Sequence, residues 1–264
     1  MSRLPCVLLV LMACWFFPMA LPAAALSATS TDQALFKQAL VASRNGDASQ
    51  ALLLWDRFLT DHPQDAAALS NRGNVRLLLG DAEGAIADQT RSMELSPEEM
   101  DPHLNRGTAE EALRQWDAAA ADYRWILARD PAEASALYNL GNVLGSQAVW
   151  DDAAELYSQA SLARPGFAMA RSSEALARYQ LEQFDSAERE LRNLIRRYPL
   201  FADARAGLSA LLWRRGQRGE AESHWAAAAG LDPRYRQAEW LLEIRRWPPQ
   251  PTADLMAFLR LEVP

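Results

Sequence analysis

The sequence predicts an all-α solenoid, on three observations. Proline recurs every 34 residues, at Pro63, Pro97, Pro131, Pro165, Pro199 and Pro233. Alanine stands twelve residues ahead of each one, at Ala51, Ala85, Ala119, Ala153, Ala187 and Ala221. Twelve residues further back only small residues occur: Ala39, Gly73, Gly107, Gly141, Ala175 and Ser209. A fixed period of this length marks one supersecondary unit repeated along the chain, each copy burying its apolar face on the next.

Starting each unit 31 residues before its proline gives units 32–65, 66–99, 100–133, 134–167, 168–201 and 202–235. These six cover 204 of the 264 residues. Each unit reads as a helical hairpin. Small residues at unit positions 8 and 20 let two antiparallel helices approach closely. Position 24 is large in Trp55, Tyr123, Tyr157, Leu191 and Trp225, with Gln89 the exception, and is expected to fill the space between successive hairpins. Gly46, Gly80 and Gly216 fall at position 15, where the first helix must end and the chain must turn. The proline at position 32 stops the second helix, because it lacks an N–H and its ring clashes with the preceding turn. Asp130-Pro131 and Asp232-Pro233 suit the turn that follows.

Tyr138-Asn139-Leu140-Gly141-Asn142, followed by Ala153, Tyr157 and Pro165, resembles the tetratricopeptide repeat. The resemblance implies a right-handed α-solenoid whose first helices line a concave groove. It also implies that first-helix positions 2, 5, 6, 9, 12 and 13 face that groove. Here those positions supply an asparagine ridge of Asn71, Asn74, Asn105, Asn139 and Asn142. An amide offers both donors and an acceptor and suits the backbone of an extended peptide. Tyr138 and Tyr179 would add flat apolar surface, with Trp213 and Arg214 at the far end. A second reading stays open, in which the asparagines only brace the helix pair. The family's two-carboxylate clamp is not expected. Position 5 holds Ser70 and Leu104 where that clamp wants a base, and position 2 holds Ala67, Asp101, Ser135 and Met169.

Some polar pairs read as scaffold. Positions 7 and 23 switch together, from Arg72 with Asp88 and Arg106 with Asp122 to Leu140 with Leu156. Unit 5 breaks the pattern with Glu174 and Glu190, which would repel unless Arg171, Arg178 or Arg189 intervenes.

A net charge of −7 argues against nucleic acid, which needs a concentrated basic surface. Lys37 is the only lysine among 27 basic residues. No catalytic residues, cofactor or metal site are expected. The three histidines, His62, His103 and His224, lack the i, i+4 spacing of a helical zinc site, and no nucleophile elbow or phosphate loop is present. The acidic pairs Glu98-Glu99, Glu110-Glu111 and Asp151-Asp152 read as solvated helix faces.

Both ends depart from the repeat. Arg3 is the only charge before Asp32, and Leu4 to Leu26 is almost wholly apolar, ending in Ala23-Ala24-Ala25. This pattern predicts a secretory signal peptide over 1–25, with a linker at 26–31. The stretch is also long enough to remain as a membrane anchor, and Leu11-Met12-Ala13-Cys14 resembles a lipidation site. Both cysteines, Cys6 and Cys14, lie in this segment, so the mature chain would carry no thiol. At the other end, Arg236 to Trp247 reads as a capping helix, since Glu243 at its position 8 forbids a close hairpin. Trp247-Pro248-Pro249-Gln250-Pro251 is expected to be extended. A last short helix is expected after it, capped by Thr252, with Leu255, Met256, Phe258, Leu259 and Leu261 apolar; about ten residues do not hold a helix alone, so it docks either on the final repeats or on a partner.

The apolar leader, the cysteine-free repeats and the Arg246-Trp247-Pro248-Pro249 tail are similar to exported tetratricopeptide proteins of cyanobacteria and the chloroplast lumen. The resemblance implies a monomeric scaffold in the periplasm or thylakoid lumen, at most peripheral to a membrane, that binds a protein or peptide partner. A permanent structural subunit engaged through its ends or convex face is the rival expectation.

Overall fold

The computed structural model describes residues 23–261, with side-chain surroundings over 31–260. Those residues form helices and turns, with no β-strand among them. Unit 1 pairs α1 (Ala23–Asn45) with α2 (Ala48–Asp61), and unit 2 pairs α3 (Ala66–Leu78) with α4 (Ala82–Leu95). Unit 3 holds α5 (Met100–Ala112) and α6 (Trp116–Leu127); unit 4 holds α7 (Ala134–Ser146) and α8 (Trp150–Ala163). Unit 5 holds α9 (Ala168–Gln180) and α10 (Phe184–Arg197); unit 6 holds α11 (Ala202–Arg214) and α12 (Arg218–Leu231). A 3-10 turn at Pro233–Arg236, α13 (Ala238–Glu243) and α14 (Pro249–Leu261) complete the chain.

The alanines at position 20 are all buried, as are the small residues at position 8. Close approach is a real constraint there. A Cβ on Gly107 would stand 2.7 Å from the Tyr123 ring, and one on Gly141 would stand 2.7 Å from the Tyr157 ring. Position 24 serves both places. Tyr123 and Tyr157 lie over the glycine of their own unit, inside the hairpin, whereas Leu191 of unit 5 lies 3.4 Å from where a Cβ on Gly207 of unit 6 would stand, and Tyr123 shares a core cluster with Ala136, Leu140 and Val143 of unit 4. Gln89 fits the hairpin slot in unit 2 by donating to the Ser70 carbonyl at 2.9 Å and to Asn74 Oδ1 at 3.0 Å.

The turn between paired helices is left-handed at position 15 in every unit. Glycine occupies it at Gly46, Gly80 and Gly216, with φ of 80°, 86° and 75°. Arg114, Ala148 and Glu182 adopt φ of 57°, 62° and 60° at the same place in units 3, 4 and 5. The Asp-Pro turns close as side-chain turns: Asp130 accepts from the Ala132 N–H and Asp232 from the Arg234 N–H, each at 3.0 Å.

The paired positions 7 and 23 meet as expected. Arg72 donates Nε and Nη2 to Asp88 at 2.8 and 2.7 Å, and Arg106 does the same to Asp122 at 2.7 and 2.8 Å. Leu140 and Leu156 share an apolar cluster in unit 4. In unit 5, Arg178 lies 2.5 Å from Glu174 and Arg171 lies 2.7 Å from Glu190, so two arginines separate the facing carboxylates.

Four expectations need correction. The segment 26–31 is helical, because α1 already starts in the alanine run at Ala23, a strong helix former. Glu110 and Glu111 are buried; only Glu98-Glu99 and Asp151-Asp152 lie on a solvated face. The cap expected over Arg236–Trp247 is broken into the 3-10 turn and the six-residue α13. Pro249-Gln250-Pro251 is the first turn of α14, where no intrahelical donor is required and proline is tolerated. Thr252 therefore sits inside α14, donating its hydroxyl to the Pro248 carbonyl at 3.0 Å. No helix among the described residues is long and apolar enough to cross a membrane. The signal peptide expected over 1–25 lies outside the described residues except for Ala23 to Ala25, which begin α1, and the anchor and lipidation expectations, with Cys6 and Cys14, rest on residues outside them.

Candidate functional site

Successive first helices pack on one another, α1 on α3, α3 on α5, α5 on α7 and α9 on α11, while successive second helices make no comparable contact. The shorter path along the stack therefore runs through the first helices, which line the concave face. All nine residues expected at the groove lie on these helices.

The asparagines are only half-buried, and each has a local partner. Asn74 Oδ1 accepts from Gln89 at 3.0 Å, and Asn142 Oδ1 accepts from the Tyr157 hydroxyl at 3.0 Å. These two brace position 9 against position 24. Asn71 donates to the Ala67 carbonyl at 2.8 Å, one turn back on α3. Asn105 reaches the Ser70 hydroxyl at 3.4 Å, across the joint between units 2 and 3. Asn139 lies beside the Tyr123 hydroxyl, and Tyr138 lies beside Ser173 and Asn142. The position-9 asparagines are thus committed to the scaffold. Asn71, Asn105 and Asn139 keep polar capacity toward the groove. A cleft of about 340 Å³ opens beside Asn71 between α3 and α5, lined by Ala67, Ser70, Ser96, Glu99 and Asp101.

Tyr179, Trp213 and Arg214 face a different neighbour: the chain's own C-terminal segment lies across the concave face of units 5 and 6. Helix α14 packs on α11 and α9, burying Leu255 and Phe258 completely. The Tyr179 hydroxyl donates to Asp254 at 2.9 Å, Arg214 reaches the same carboxylate at 3.2 Å, and Trp213 lies against Phe258. Tyr179 is fully covered and offers no open surface. Tyr179 and Trp213 occupy position 12, and Gln180 and Arg214 position 13, of units 5 and 6.

An anchor holds this segment. Asp203, at position 2 of unit 6, is buried and accepts from Ser172 at 2.6 Å, Tyr235 at 2.8 Å, Trp247 Nε1 at 3.0 Å and Arg245 Nη2 at 2.6 Å. Burial alone would raise its pKa. The Arg245 charge and the hydrogen bonds from Ser172, Arg245 and Trp247 outweigh that and hold the carboxyl below its ordinary value. Arg246 continues toward unit 3. It donates to the Ser146 hydroxyl at 3.0 Å, lies 3.7 Å from Glu111, and stacks its guanidinium over Trp116.

Two other clusters were not anticipated. His103 stacks on Trp125 at 3.6 Å and meets Asp122 at 2.8 Å, while Glu110 lies beside Asp122 and Arg106 with Oε2 buried and unpartnered. Burial, then the Asp122 charge, push Glu110 up to about 7 against the opposing pull of Arg106. A cavity of about 570 Å³ between α10 and α12 is rich in arginine. Its Arg192 and Arg215 are already paired with Glu188, Glu220 and Asp185. Among the described residues no group of three or more His, Cys, Asp or Glu could hold a metal ion.

The tetratricopeptide repeat model matches residues 36–99, 104–166 and 172–236, most of the chain. The chain belongs to the tetratricopeptide repeat family. No curated protein matches it significantly. Several solved structures share the fold. A tetratricopeptide repeat protein from Parabacteroides merdae is 16% identical, with a TM-score of 0.63 over 88% of this chain and 99% of that one. Cut9-Hcn1 of the APC/C hetero-tetramer is 16% identical, with a TM-score of 0.69 over 86% of this chain and 42% of that one. YrrB, described as a tetratricopeptide protein with an unusual peptide-binding site, is 17% identical, with a TM-score of 0.53 over 68% of this chain and 92% of that one. At these identities the likeness concerns the fold. As a tetratricopeptide solenoid, the chain is built as a scaffold for protein interaction.

Proposed function

We propose that this tetratricopeptide protein is an exported, non-catalytic scaffold that holds a segment of a partner protein on the concave face of units 1 to 4. One observation carries the reading. The same face in units 5 and 6 already holds a peptide segment, the chain's own residues 245–261, through buried apolar side chains and hydrogen bonds. The partner track is the row of Asn71, Asn105 and Asn139 with the cleft beside α3 and α5. The peptide-binding site named for YrrB supports the same use of this fold.

Replacing Asn105 and Asn139 together with alanine tests the assignment. Asn105 makes one long hydrogen bond, and Asn139 lies beside a tyrosine hydroxyl that Glu111 holds at 2.6 Å. Partner capture should therefore weaken while the melt changes little. Unchanged capture with an earlier melt would assign both residues to bracing. Export rests on Arg3, the apolar run and the alanines at 23–25. The intact mass of the mature protein should lack residues 1–25; a retained leader or a lipidated Cys14 would contradict the cleavage. Assistance in assembling envelope or thylakoid complexes is the role this placement suggests.

A further inference from the structure

The segment after unit 6 divides into two parts with different means of attachment. Residues 235–247 are anchored in the interior: Tyr235, Arg245 and Trp247 converge on the buried Asp203. Helix α14 is attached from outside. Its large buried side chains are Leu255 and Phe258, with Met256 and Leu259 packed at the edge. Its carboxylate, Asp254, meets the covered Tyr179 hydroxyl on one side and a partly exposed Arg214 on the other. Pro248-Pro249 joins the two parts. Beyond that joint, α14 lies on positions 12 and 13 of the repeats, which are groove positions rather than hairpin-core positions.

We propose that units 5 and 6 form a helix-binding seat that α14 fills as an exchangeable internal ligand, and that a partner helix of the same pattern takes its place. The pattern is a carboxylate followed by apolar residues one and four positions on, as in Asp254, Leu255 and Phe258. The Leu and Phe equivalents enter the slot between Trp213 and the α9–α11 joint, and the carboxylate engages Arg214 and the Tyr179 hydroxyl. This extends the proposed partner site from the asparagine track into units 5 and 6, and it rests on that reading of the concave face. A tethered occupant has an effective concentration of order millimolar. If α14 is docked in about 99 of 100 molecules, the apparent affinity for a competitor falls about 100-fold.

The test uses the full chain and a fluorescent synthetic peptide of residues 249–261. Fluorescence anisotropy is compared for the wild-type chain and the Leu255→Ser/Phe258→Ser double variant, whose seat is intact and whose own helix is released. The variant should bind the peptide at least about ten-fold more tightly than the wild type, and a peptide carrying the same two serines should bind neither. Asp254→Arg, which breaks the contacts to Tyr179, Arg214 and Gln250 and keeps both apolar anchors, should give an intermediate gain. Equal affinities, or no binding to a variant that still melts cooperatively, would overturn the proposal. Loss of the cooperative melt in the double variant would overturn it too, because α14 would then be an integral part of the fold. The assay uses only the chain's own segment, so it fails or succeeds independently of partner capture through Asn105 and Asn139.

Discussion

The indole N–H of Trp247 donates to the carboxylate of Asp203 at 3.0 Å, across 44 residues of sequence. Arg245 supplies the compensating charge to the same buried oxygen. Asp203→Asn would leave that guanidinium buried without a counter-charge, a change that costs roughly 3–5 kcal/mol. The pH dependence follows from the lowered carboxyl. The pair's stability is fully present above the unfolded aspartate value of about 3.9 and is lost as pH falls through the lower folded value. Chemical denaturation of wild type and variant at pH 7 and pH 3 checks this. The difference should be large at pH 7 and shrink at pH 3.

Glu110 has the opposite sign. Its folded pKa is raised to about 7, so the protonated form is favoured in the folded chain. Its contribution becomes unfavourable as pH rises from the unfolded value of about 4.3 through 7. Glu110→Gln should raise the melting temperature at pH 8 by roughly 2–4 °C, equivalent to about 1 kcal/mol, and leave it nearly unchanged at pH 5. Calorimetric scans at the two pH values decide it, and a lower melt at pH 8 would contradict the assignment.

Ala148 sits at φ 62° where three other units use glycine. Ala148→Gly should stabilise the protein by about 1 kcal/mol, because left-handed backbone costs an L-residue roughly 1–2 kcal/mol and glycine adopts it freely. A urea melt with an unshifted or lowered midpoint would count against strain at this turn.

Ala153 is fully buried at the hairpin contact, whereas Asn142 makes one hydrogen bond to Tyr157 at the groove edge. Ala153→Leu should cost roughly 1–3 kcal/mol through overpacking. Asn142→Ala should cost about 1 kcal/mol. Equal losses in thermal melts would mean that the close approach at position 20 is more forgiving than its burial implies.

The repeat was legible because its constraints recur. Each of Ala51 to Ala221 answers the same steric demand, so the period exposes it, and the exchange of Arg72–Asp88 for Leu140–Leu156 shows which side chains face each other. The C-terminal segment was not legible in the same way. Asp203 stands at a position that reads Ala67, Asp101, Ser135 and Met169 in the four units before it, and its partners Arg245 and Trp247 come from outside the period. Nor did Pro249 and Pro251 signal helix, since only docking of Leu255 and Phe258 makes a helical first turn worthwhile there. At the asparagine track, local sequence could not separate bracing from binding. That choice turns on whether position 24 carries an amide or hydroxyl within reach, as Gln89 and Tyr157 do for Asn74 and Asn142.

Recognition of a partner on the concave face is open to photocrosslinking from defined positions in the cell that makes the protein. A photoreactive phenylalanine analogue would replace Asn71 or Leu78 on the open first-helix face, and Leu162 on the exposed side of α8. Leu78 and Leu162 are 70% and 77% exposed, so accessibility does not separate them. Asn71 and Leu78 should give a discrete crosslinked partner and Leu162 none. Crosslinks from Leu162 with none from the first-helix face would contradict it and favour a subunit held by its convex side.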